Sequence, residues 1–582
     1  MCGIFFSLTA AQKPVLPGEE TSQLLNNRGP DGVQHIVTEQ NVGQEGSSRL
    51  WLSFVSTVLS MRGDHIVCQP LTDTHRTGSI LAWNGDAWKI AGQPIPEKND
   101  TEIVFNHLLQ ATTKDWPSGD YSNVPDSTRR VAEVIRKISG PFAFVFYDAV
   151  NSKLYFGRDC LGRRSLLCGL DETGNFKICS LCDGSSSIFQ EVEADGIYML
   201  DLEYQDPGQA ASPLNLDLKS MTKIPWSHET LPTFHMISPI PLMNKATPEG
   251  TPPSLTTTSY VLRELEEKLR QSLALRIQNV REPPSVGDSK VKIAVLFSGG
   301  LDCTLLARLA HDILPTEEPI DLLNVAFENP RVVAAAANES KPASSAYENC
   351  PDRITGRAAF AELQRICPTR NWRFNAIDIP YAVTLEHRDI VRRLMRPHNT
   401  EMDLSIACAL YFAARGQGLA LDSQNPDREP YPYTTPARVL LSGLGADELF
   451  AGYGRHGIAF SRSGFEGLID EIELDVSRLG KRNLGRDNRV IAHWGREARF
   501  PFLDEEFVAW VVQLPVWEKC GFGVPSSPPA DDGIDFEKKA LRLLALNLGL
   551  ENVSREKKRA IQFGSRTAKM EKGKVKGTDA LS

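Results

Sequence analysis

The chain has 582 residues, 64 basic against 73 acidic side chains, a net charge of −9, 41% hydrophobic and 24% charged residues; one hydrophobic core does not usually serve that length, so two or more domains are expected. The acidic balance excludes a broad electrostatic footprint for nucleic acid or an anionic membrane, and the apolar content excludes disorder throughout. Eleven cysteines at irregular spacing predict reduced thiols in the cytosol or nucleus, the cytoplasm being the expected location, and the lone Cys-x-x-Cys, Cys179 with Cys182, lacks a second pair at zinc-ribbon distance and reads as strand-end thiols.

Met1 to Ser7 carries no basic flank and no apolar run of signal or spanning length, so no leader or membrane anchor is expected there. Alternating β-branched and aromatic segments bounded by Gly, Asp and Asn predict strands at Gly3 to Leu8, Leu50 to Leu59, Ser79 to Trp83, Ala143 to Asp148, Leu154 to Gly157 and Gly196 to Asp201. Helical periodicity predicts helices over Asp100 to Leu109 and Ser127 to Ile138. Residues 2–205 are therefore expected to form one layered domain of helices and strands, and the proline-rich stretch 206–257 to be a linker. Beyond it, Tyr260 to Ile277 places Leu262, Leu265, Leu269 and Leu273 on one helix face. Strand-like runs at Val291 to Phe297, Leu322 to Phe327, Phe374 to Ile379 and Val439 to Leu441 then alternate with helices at Asp302 to Ile313, Gly356 to Ile366 and Met402 to Ala414. That alternation predicts a parallel sheet with helices on both faces over 258–570, and a ligand crevice beyond the carboxyl ends of its strands. Ala334 to Cys350 and Asp422 to Pro436 read as loops grafted on this scaffold, and 571–582 as a basic flexible tail.

Removal of Met1 would leave Cys2 with a thiol and a free α-amine on one residue, the amine taking the thiol proton directly or through water. Taken alone the motif also fits a small hydrophobe on the first strand. Three clusters add chemistry: Arg28-Gly29-Pro30-Asp31 offers a fixed cation, Asn84-Gly85-Asp86 offers donors for an oxyanion, and Asp86 with Asp100 offers carboxylates for an ammonium. With Gly157-Arg158-Asp159-Cys160-Leu161-Gly162-Arg163-Arg164, residues 2–203 resemble a class II glutamine amidotransferase domain. The resemblance implies a layered αββα fold of the N-terminal nucleophile type, Cys2 as nucleophile, Asn84 and Gly85 as oxyanion hole, and Asp86 and Asp100 as the grip on glutamine. Two positions depart from that family, which has Glu where Asp86 stands and Arg where Val58 stands. Strand periodicity puts Arg62 on the face of Val58, so Arg62 is either the cation for the glutamine α-carboxylate or a solvated strand-end charge. Without such a cation, ammonia becomes the practical nitrogen source.

The strand ending at Phe297 runs into Ser298-Gly299-Gly300-Leu301-Asp302-Cys303 and a helix, so that backbone N–H groups and a helix N-terminus meet phosphate oxygens while Asp302 can hold Mg2+. No Gly-Lys-Ser/Thr follows, which excludes a Walker A loop. The segment resembles the pyrophosphate loop of ATP pyrophosphatases, with cleavage between the α and β phosphates. Ser442-Gly443-Leu444-Gly445-Ala446-Asp447-Glu448 resembles a second signature, that of asparagine synthetases, as do Asp403 to Ala407, Gly495 to Asp504 and Glu537 to Arg542. The resemblance, strongest to the divergent asparagine synthetase domain-containing proteins of eukaryotes, implies ATP contacts at Phe297, Ser298, Gly299, Gly300, Asp302, Val325, Ser442 and Gly443, metal at Asp302 and Asp447, and Lys538 on the leaving pyrophosphate. It departs at Leu444, where the family has a glutamate assigned to take a proton from ammonia, a role worth about 10²–10⁴-fold. The cations of Lys558 to Arg566 either close over pyrophosphate or form a charged surface helix. The expected reaction is glutamine-dependent amidation of a carboxylate, aspartate first among acceptors, with ATP and Mg2+ required, no nucleic acid or membrane partner, and a second copy of the chain as a candidate partner. The alternatives are an amidoligase for another acid or for free ammonia, and a non-catalytic ATP-binding module.

Overall fold

The structure, a computed structural model, describes residues 2–42, 48–74, 76–95, 98–113, 126–184, 189–203, 221–227, 236–282, 291–338, 345–425, 427–524, 534–570 and 576–581. They divide into two units, Met1–Pro239 with Leu479–Gly495, and Ile240–Arg478 with Arg496–Ser582. The fold is mixed α/β, with antiparallel and parallel sheets.

Among the described residues of the first unit, one sheet orders its strands Gln190–Glu191, Leu167–Leu170, Phe176–Cys179, Gly3–Thr9, Ser48–Val58, Gly32–Val42, all antiparallel. A second orders Met236–Ile237, Thr222–Ser227, Gly196–Asp201, Lys153–Arg158, Phe142–Asp148, Ile80–Gly85, Leu71–Thr72. The period of two along each strand assigns the faces. Ile4, Phe6 and Leu8 pack with Leu52, Phe54, Ala82, Val145 and Phe156 in a core shared by the two sheets. The alternate residues Leu81, Trp83, Phe144, Phe146 and Tyr155 turn the other way, onto Val104 and Leu108 of the helix Asp100–Thr112 and Val131 and Ile135 of the helix Ser127–Arg136. Burying one such aromatic side chain contributes about 1.5–3 kcal/mol. The helix Glu19–Arg28 buries Leu24 and Leu25, and a Cβ at Gly3 would stand 2.8 Å from Leu25 Cδ2, so the glycine lets this helix close onto the first sheet.

The expected linker 206–257 needs correction in part: Thr222–Ser227 pairs with Gly196–Asp201, and Met236–Ile237 with Thr222–Ser227, so the first unit continues to Pro239. Residues 204–220 and 228–235 lie outside the described residues. The helix Glu19–Arg28 and the strand Gly32–Val42 were not expected; the latter is a sheet edge and keeps polar side chains such as Gln34, Thr38 and Gln40.

The described strands of the second unit's sheet run Tyr431–Thr434, Gln417–Asp422, Trp372–Ile379, Ile320–Phe327, Ile293–Leu296, Val439–Leu441, Glu497–Arg499. The last five are parallel and the first two antiparallel. Ile320–Phe327 is buried throughout, as a strand covered on both faces must be. Chain order runs from Ile293–Leu296 outward on one side, then restarts on its other side with Val439–Leu441. Connections leaving these two neighbours depart in opposite directions and open a crevice at their carboxyl ends. The helix Tyr260–Ile277 has the expected bounds, with Leu262, Leu265, Leu269 and Leu273 buried.

Both grafted loops carry structure. The first begins inside the helix Pro330–Asn338, and its residues 339–344 lie outside the described residues. The second contains the strand Tyr431–Thr434, whose Tyr433 hydroxyl donates to Asp321 Oδ2 at 2.8 Å. Of the tail, 571–575 is outside the described residues, while Gly577 O accepts from Met402 N–H at 2.9 Å and Leu581 N–H donates to Asn399 O at 2.7 Å. None of the eleven cysteines, all among the described residues, forms a disulfide, and no helix among the described residues is long and apolar enough to cross a membrane.

Candidate functional site

Cys2 stands at the head of the strand Gly3–Thr9, 8% exposed. Its N–H donates to Asn84 Oδ1 at 3.1 Å. That bond turns the amide so that Asn84 Nδ2 is a buried donor with no acceptor among the described residues. Such a group costs about 1–3 kcal/mol when left unmet, and an oxyanion hole keeps a donor of this kind in reserve. Gly85 lies against Pro141 O and Phe142, where a Cβ would collide with backbone. Gln69, which sequence reasoning assigned no role, holds the scene together: its Oε1 accepts from Trp83 N–H at 2.9 Å, and its Nε2 lies 3.8 Å from Cys2 Sγ and 3.4 Å from Thr101 Oγ1.

Asp86 and Asp100 converge on Ala87. Asp100 Oδ2 accepts from Ala87 N–H at 2.8 Å, and Asp86 Oδ2 accepts from Arg164 Nη2 at 3.2 Å. Burial pushes the Asp100 carboxyl above the usual carboxylate range, against the pull of Arg62. Arg62 is half-buried, donating to Ala87 O at 2.7 Å and Ile95 O at 3.3 Å, with its guanidinium 5.8 Å from the Trp88 ring. It is thus anchored beside Asp100 instead of being a solvated strand-end charge. Val58 is buried, and its carbonyl accepts from Asp31 N–H at 2.9 Å. Arg28 is wholly buried, and burial lowers its pKa to about 10.

In the second unit, the loop after Ile293–Leu296 turns at Gly299, φ +80°, where a Cβ would strike the Thr355 and Gly356 backbone. Ser298 Oγ accepts from Gly300 N–H at 3.3 Å, and the helix Leu301–Ile313 starts there with Asp302 in its first turn. Phe297, just past the end of Ile293–Leu296, and Val325, in the neighbouring strand Ile320–Phe327, are both buried. The loop after Val439–Leu441 comes so close that a Cβ at Gly443 would lie 2.7 Å from Asp302 Cβ, and Ser442 N–H donates to Arg499 O at 3.0 Å. Lys538, φ +56°, donates its N–H to Phe450 O at 3.0 Å and inserts its ammonium 2.6 Å from both Asp302 Oδ2 and Asp447 Oδ1. Lys558 Nζ lies 2.6 Å from Asp447 Oδ2, so one cation from the closing segment does reach this cluster.

Burial raises Asp302, Asp447 adds repulsion, and Lys538 opposes both, leaving the carboxyl above its ordinary range. Asp447 feels the same burial, but Lys538 and Lys558 together outweigh it and keep its carboxyl low. Glu448 is raised by burial and accepts from Tyr453 Oη at 2.6 Å. The pair Asp302 and Asp447 fits a magnesium ion: two carboxylates already surround one cationic centre, and Asp302 Oδ1 is buried without a hydrogen-bond partner among the described residues. Among the described residues no group of three or more His, Cys, Asp or Glu side chains is placed to hold a metal ion; magnesium characteristically takes one or two carboxylates and completes its shell with water and phosphate.

An asparagine synthase family model matches residues 466–578. An asparagine synthetase domain-containing protein of Bos taurus is 33% identical over 99% of this chain and 97% of its own length. The chain belongs to the asparagine synthetase family. Within it, a domain-containing relative from Saccharomyces cerevisiae is 36% identical over 91% of this chain and 86% of its own. The glutamine-hydrolyzing asparagine synthetase of Gallus gallus is 25% identical over 66% of this chain and 58% of its own. A glutamine phosphoribosylpyrophosphate amidotransferase of B. subtilis superposes with a TM-score of 0.26 at 14% identity, covering 56% of this chain and 66% of its own, a likeness too slight to bear on the fold. For this asparagine synthetase family member, the sequence pointed to Cys2, Asn84, Asp86, Asp100, Asp302, Asp447 and Lys538. It gave no sign of Gln69 or of the buried polar helix Leu484–Ala492, because their importance lies in contacts with residues far along the chain.

Proposed function

We propose that the chain forms an amide on a carboxylate, aspartate being the first acceptor to test, using ATP and nitrogen released from glutamine. The observation that carries this reading is the coexistence in one chain of Cys2 beside an Asn84 amide donor that meets no acceptor among the described residues, and Lys538 between Asp302 and Asp447 at the reversal of a parallel sheet. Once Met1 is removed, the Cys2 amine takes the thiol proton and the sulfur attacks the glutamine carboxamide; the tetrahedral intermediate breaks its C–N bond, the Cys2 ammonium returns the proton to the departing ammonia, and water hydrolyses the thioester to glutamate. Asn84 Nδ2 and the Gly85 N–H receive the developing oxyanion, while Asp86 and Asp100 hold the substrate ammonium; an incoming cation keeps Asp100 ionised despite its burial. Arg62 holds the α-carboxylate.

In the second centre, Ser298, Gly299, Gly300, Ser442 and Gly443 cradle the phosphates of the substrate ATP and Phe297 and Val325 border its nucleoside. Asp302 and Asp447 hold magnesium, which supplies positive charge to the phosphate oxygens. Lys538 neutralises charge that grows as pyrophosphate departs and the acceptor carboxylate becomes an acyl-adenylate, which ammonia then resolves to amide and AMP. A second reading, amidation with free ammonia or of a different acid, draws on Val58 and Leu444, both apolar where the family has charge.

The test is product analysis with glutamine or ammonium as donor. Cys2→Ala is expected to abolish glutamine-dependent product and leave ammonium-dependent product; loss of both would contradict two separate centres. Asparagine from neither donor in the wild type would remove aspartate as acceptor, and absence of pyrophosphate exchange with every acid tried would leave a nucleotide-binding module.

A further inference from the structure

The segment Leu479–Gly495 belongs to the first unit although the chain on either side of it, to Arg478 and from Arg496, belongs to the second. Its helix Leu484–Ala492 is buried at every position, including Arg486, Asp487, Asn488 and Arg489. A buried polar helix needs partners for each of these groups, and those of Asn488 are informative. Asn488 Oδ1 accepts from Arg28 Nη2 at 3.1 Å and from Ser165 N–H at 3.3 Å, while Nδ2 donates to Arg163 O at 3.4 Å. Arg489 Nη1 adds bonds to Ser165 Oγ at 2.8 Å and Glu191 Oε1 at 2.9 Å.

Both stretches held in this way lead to the Cys2 centre. Arg164, between Arg163 and Ser165, donates to Asp86. Arg28 ends the helix Glu19–Arg28, whose Leu25 carbonyl accepts from Thr57 Oγ1 at 2.6 Å, and the same hydroxyl accepts from Gly3 N–H, next to Cys2, at 3.0 Å. Arg28 Nε and Nη1 are buried and meet no hydrogen-bond acceptor among the described residues, so the cation is held by one side-chain amide and by its electrostatic surroundings.

We propose that Asn488 is a positioning residue of the glutamine half: by fixing Arg28 beside the start of the Cys2 strand, it sets the acidity of the Cys2 thiol. The proposal rests on the reading of Cys2 as nucleophile. Gly29, next to Arg28, lies so close to the strand bearing Thr57 that a Cβ there would stand 2.7 Å from the Thr57 Oγ1 that holds Gly3 N–H; among the charges acting on the Arg28 guanidinium, Cys179 and Cys2 favour its ionised form while Arg489 and Arg164 oppose it. Arg489 is paired with Glu191 and Arg164 with Asp86. Burial pushes the Cys179 thiol up to about 12, so near neutral pH Cys2 is the thiol whose ionised form Arg28 can favour. A neutral amide suits the anchoring position, because it orients the guanidinium without cancelling its charge; a carboxylate there would take the charge for itself.

The experiment follows iodoacetamide alkylation of Cys2 across pH 5 to 10 in the full-length chain lacking Met1, reading the N-terminal peptide by mass spectrometry. Asn488→Asp, close in shape to the parent, is expected to move the alkylation midpoint up by about one pH unit, roughly tenfold slower labelling at pH 7. Asn488→Ala, which adds no charge, is expected to shift it in the same direction by less. An unchanged midpoint in Asn488→Asp, with native circular dichroism, overturns the proposal, and that variant decides the matter if the alanine variant fails to fold. Labelling needs no turnover, so a shifted midpoint in a chain that hydrolyses no glutamine would refute the glutaminase reading alone, whereas an unshifted one in an active glutaminase would refute this inference alone.

Discussion

Asp302 has one lysine where Asp447 has two, and that asymmetry sets what each carboxylate can do. Removing the Asp302 charge takes away one wall of the cation site and leaves Lys538 with a single carboxylate in a buried setting. Asp302→Asn is therefore expected to lower AMP formation by about 100-fold or more, measured with saturating ATP and acceptor; retained turnover would place the phosphates elsewhere. Burial and the neighbouring Asp447 raise the Asp302 carboxyl, so under the proposed mechanism, in which its ionised form is the one that acts, AMP formation should fall toward acid pH as it takes a proton. Single motifs of this kind were legible in the sequence because backbone-close residues such as Gly299, Gly300 and Asp302 must follow one another to build the turn. Arg62 was not: its two readings could be separated only by seeing its donors on Ala87 and Ile95 carbonyls.

The short turn Val516–Glu518 is followed by Lys519, whose side chain enters the second unit's interior with Met243 Sδ 3.6 Å from its Nζ. Burial lowers its pKa to about 7, below the roughly 10.4 of an exposed lysine. Between those values the unfolded chain binds more protons than the folded one, so wild-type stability rises with pH across that window. Lys519→Met is expected to raise stability by roughly 1–3 kcal/mol at pH 7, with the gain in melting temperature greatest at or below pH 7 and fading toward pH 10. A gain independent of pH would mean that packing, not the buried charge, is what the substitution relieves. Elements with one strong periodicity, such as the helix Tyr260–Ile277, could be read to the residue, since four leucines on one face have only one use. The edge strand Gly32–Val42 could not, because polar Gln34, Thr38 and Gln40 share its half-buried face with Ile36 while Val33 is exposed, and its pairing with Ser48–Val58 supplies the order that its sequence lacks.

The first unit is discontinuous in sequence, and this governs how the chain can be divided. Residues 1–239 without Leu479–Gly495 would leave Arg28 without Asn488, Arg158 without the Gly480 carbonyl, and Glu191 without Arg489. Glu191 would keep its pair with Arg158, but Arg28 would be a buried cation without its hydrogen-bond acceptor, a loss of about 1–3 kcal/mol or more, and the surface covered by a helix buried at every position would be opened to water, together a large share of a domain's stability of about 5–15 kcal/mol. A fragment of residues 1–239 is therefore expected to be unfolded or aggregated by circular dichroism and gel filtration, and a monomeric, cooperatively melting fragment would show that the helix Leu484–Ala492 is dispensable. By itself the sequence determined what depends on neighbours in the chain: the thiol at position 2, the glycine turns at the ends of two strands, the alternation that makes a parallel sheet, because local sterics and periodicity act over a few residues. Only the tertiary structure decided that Asn84 is aimed by the Cys2 N–H, that Lys538 sits between Asp302 and Asp447, and that a helix near residue 488 completes the amino-terminal unit. Those arrangements come from burial and charge pairing between segments hundreds of residues apart, for which the linear order of residues carries no periodic or local signal.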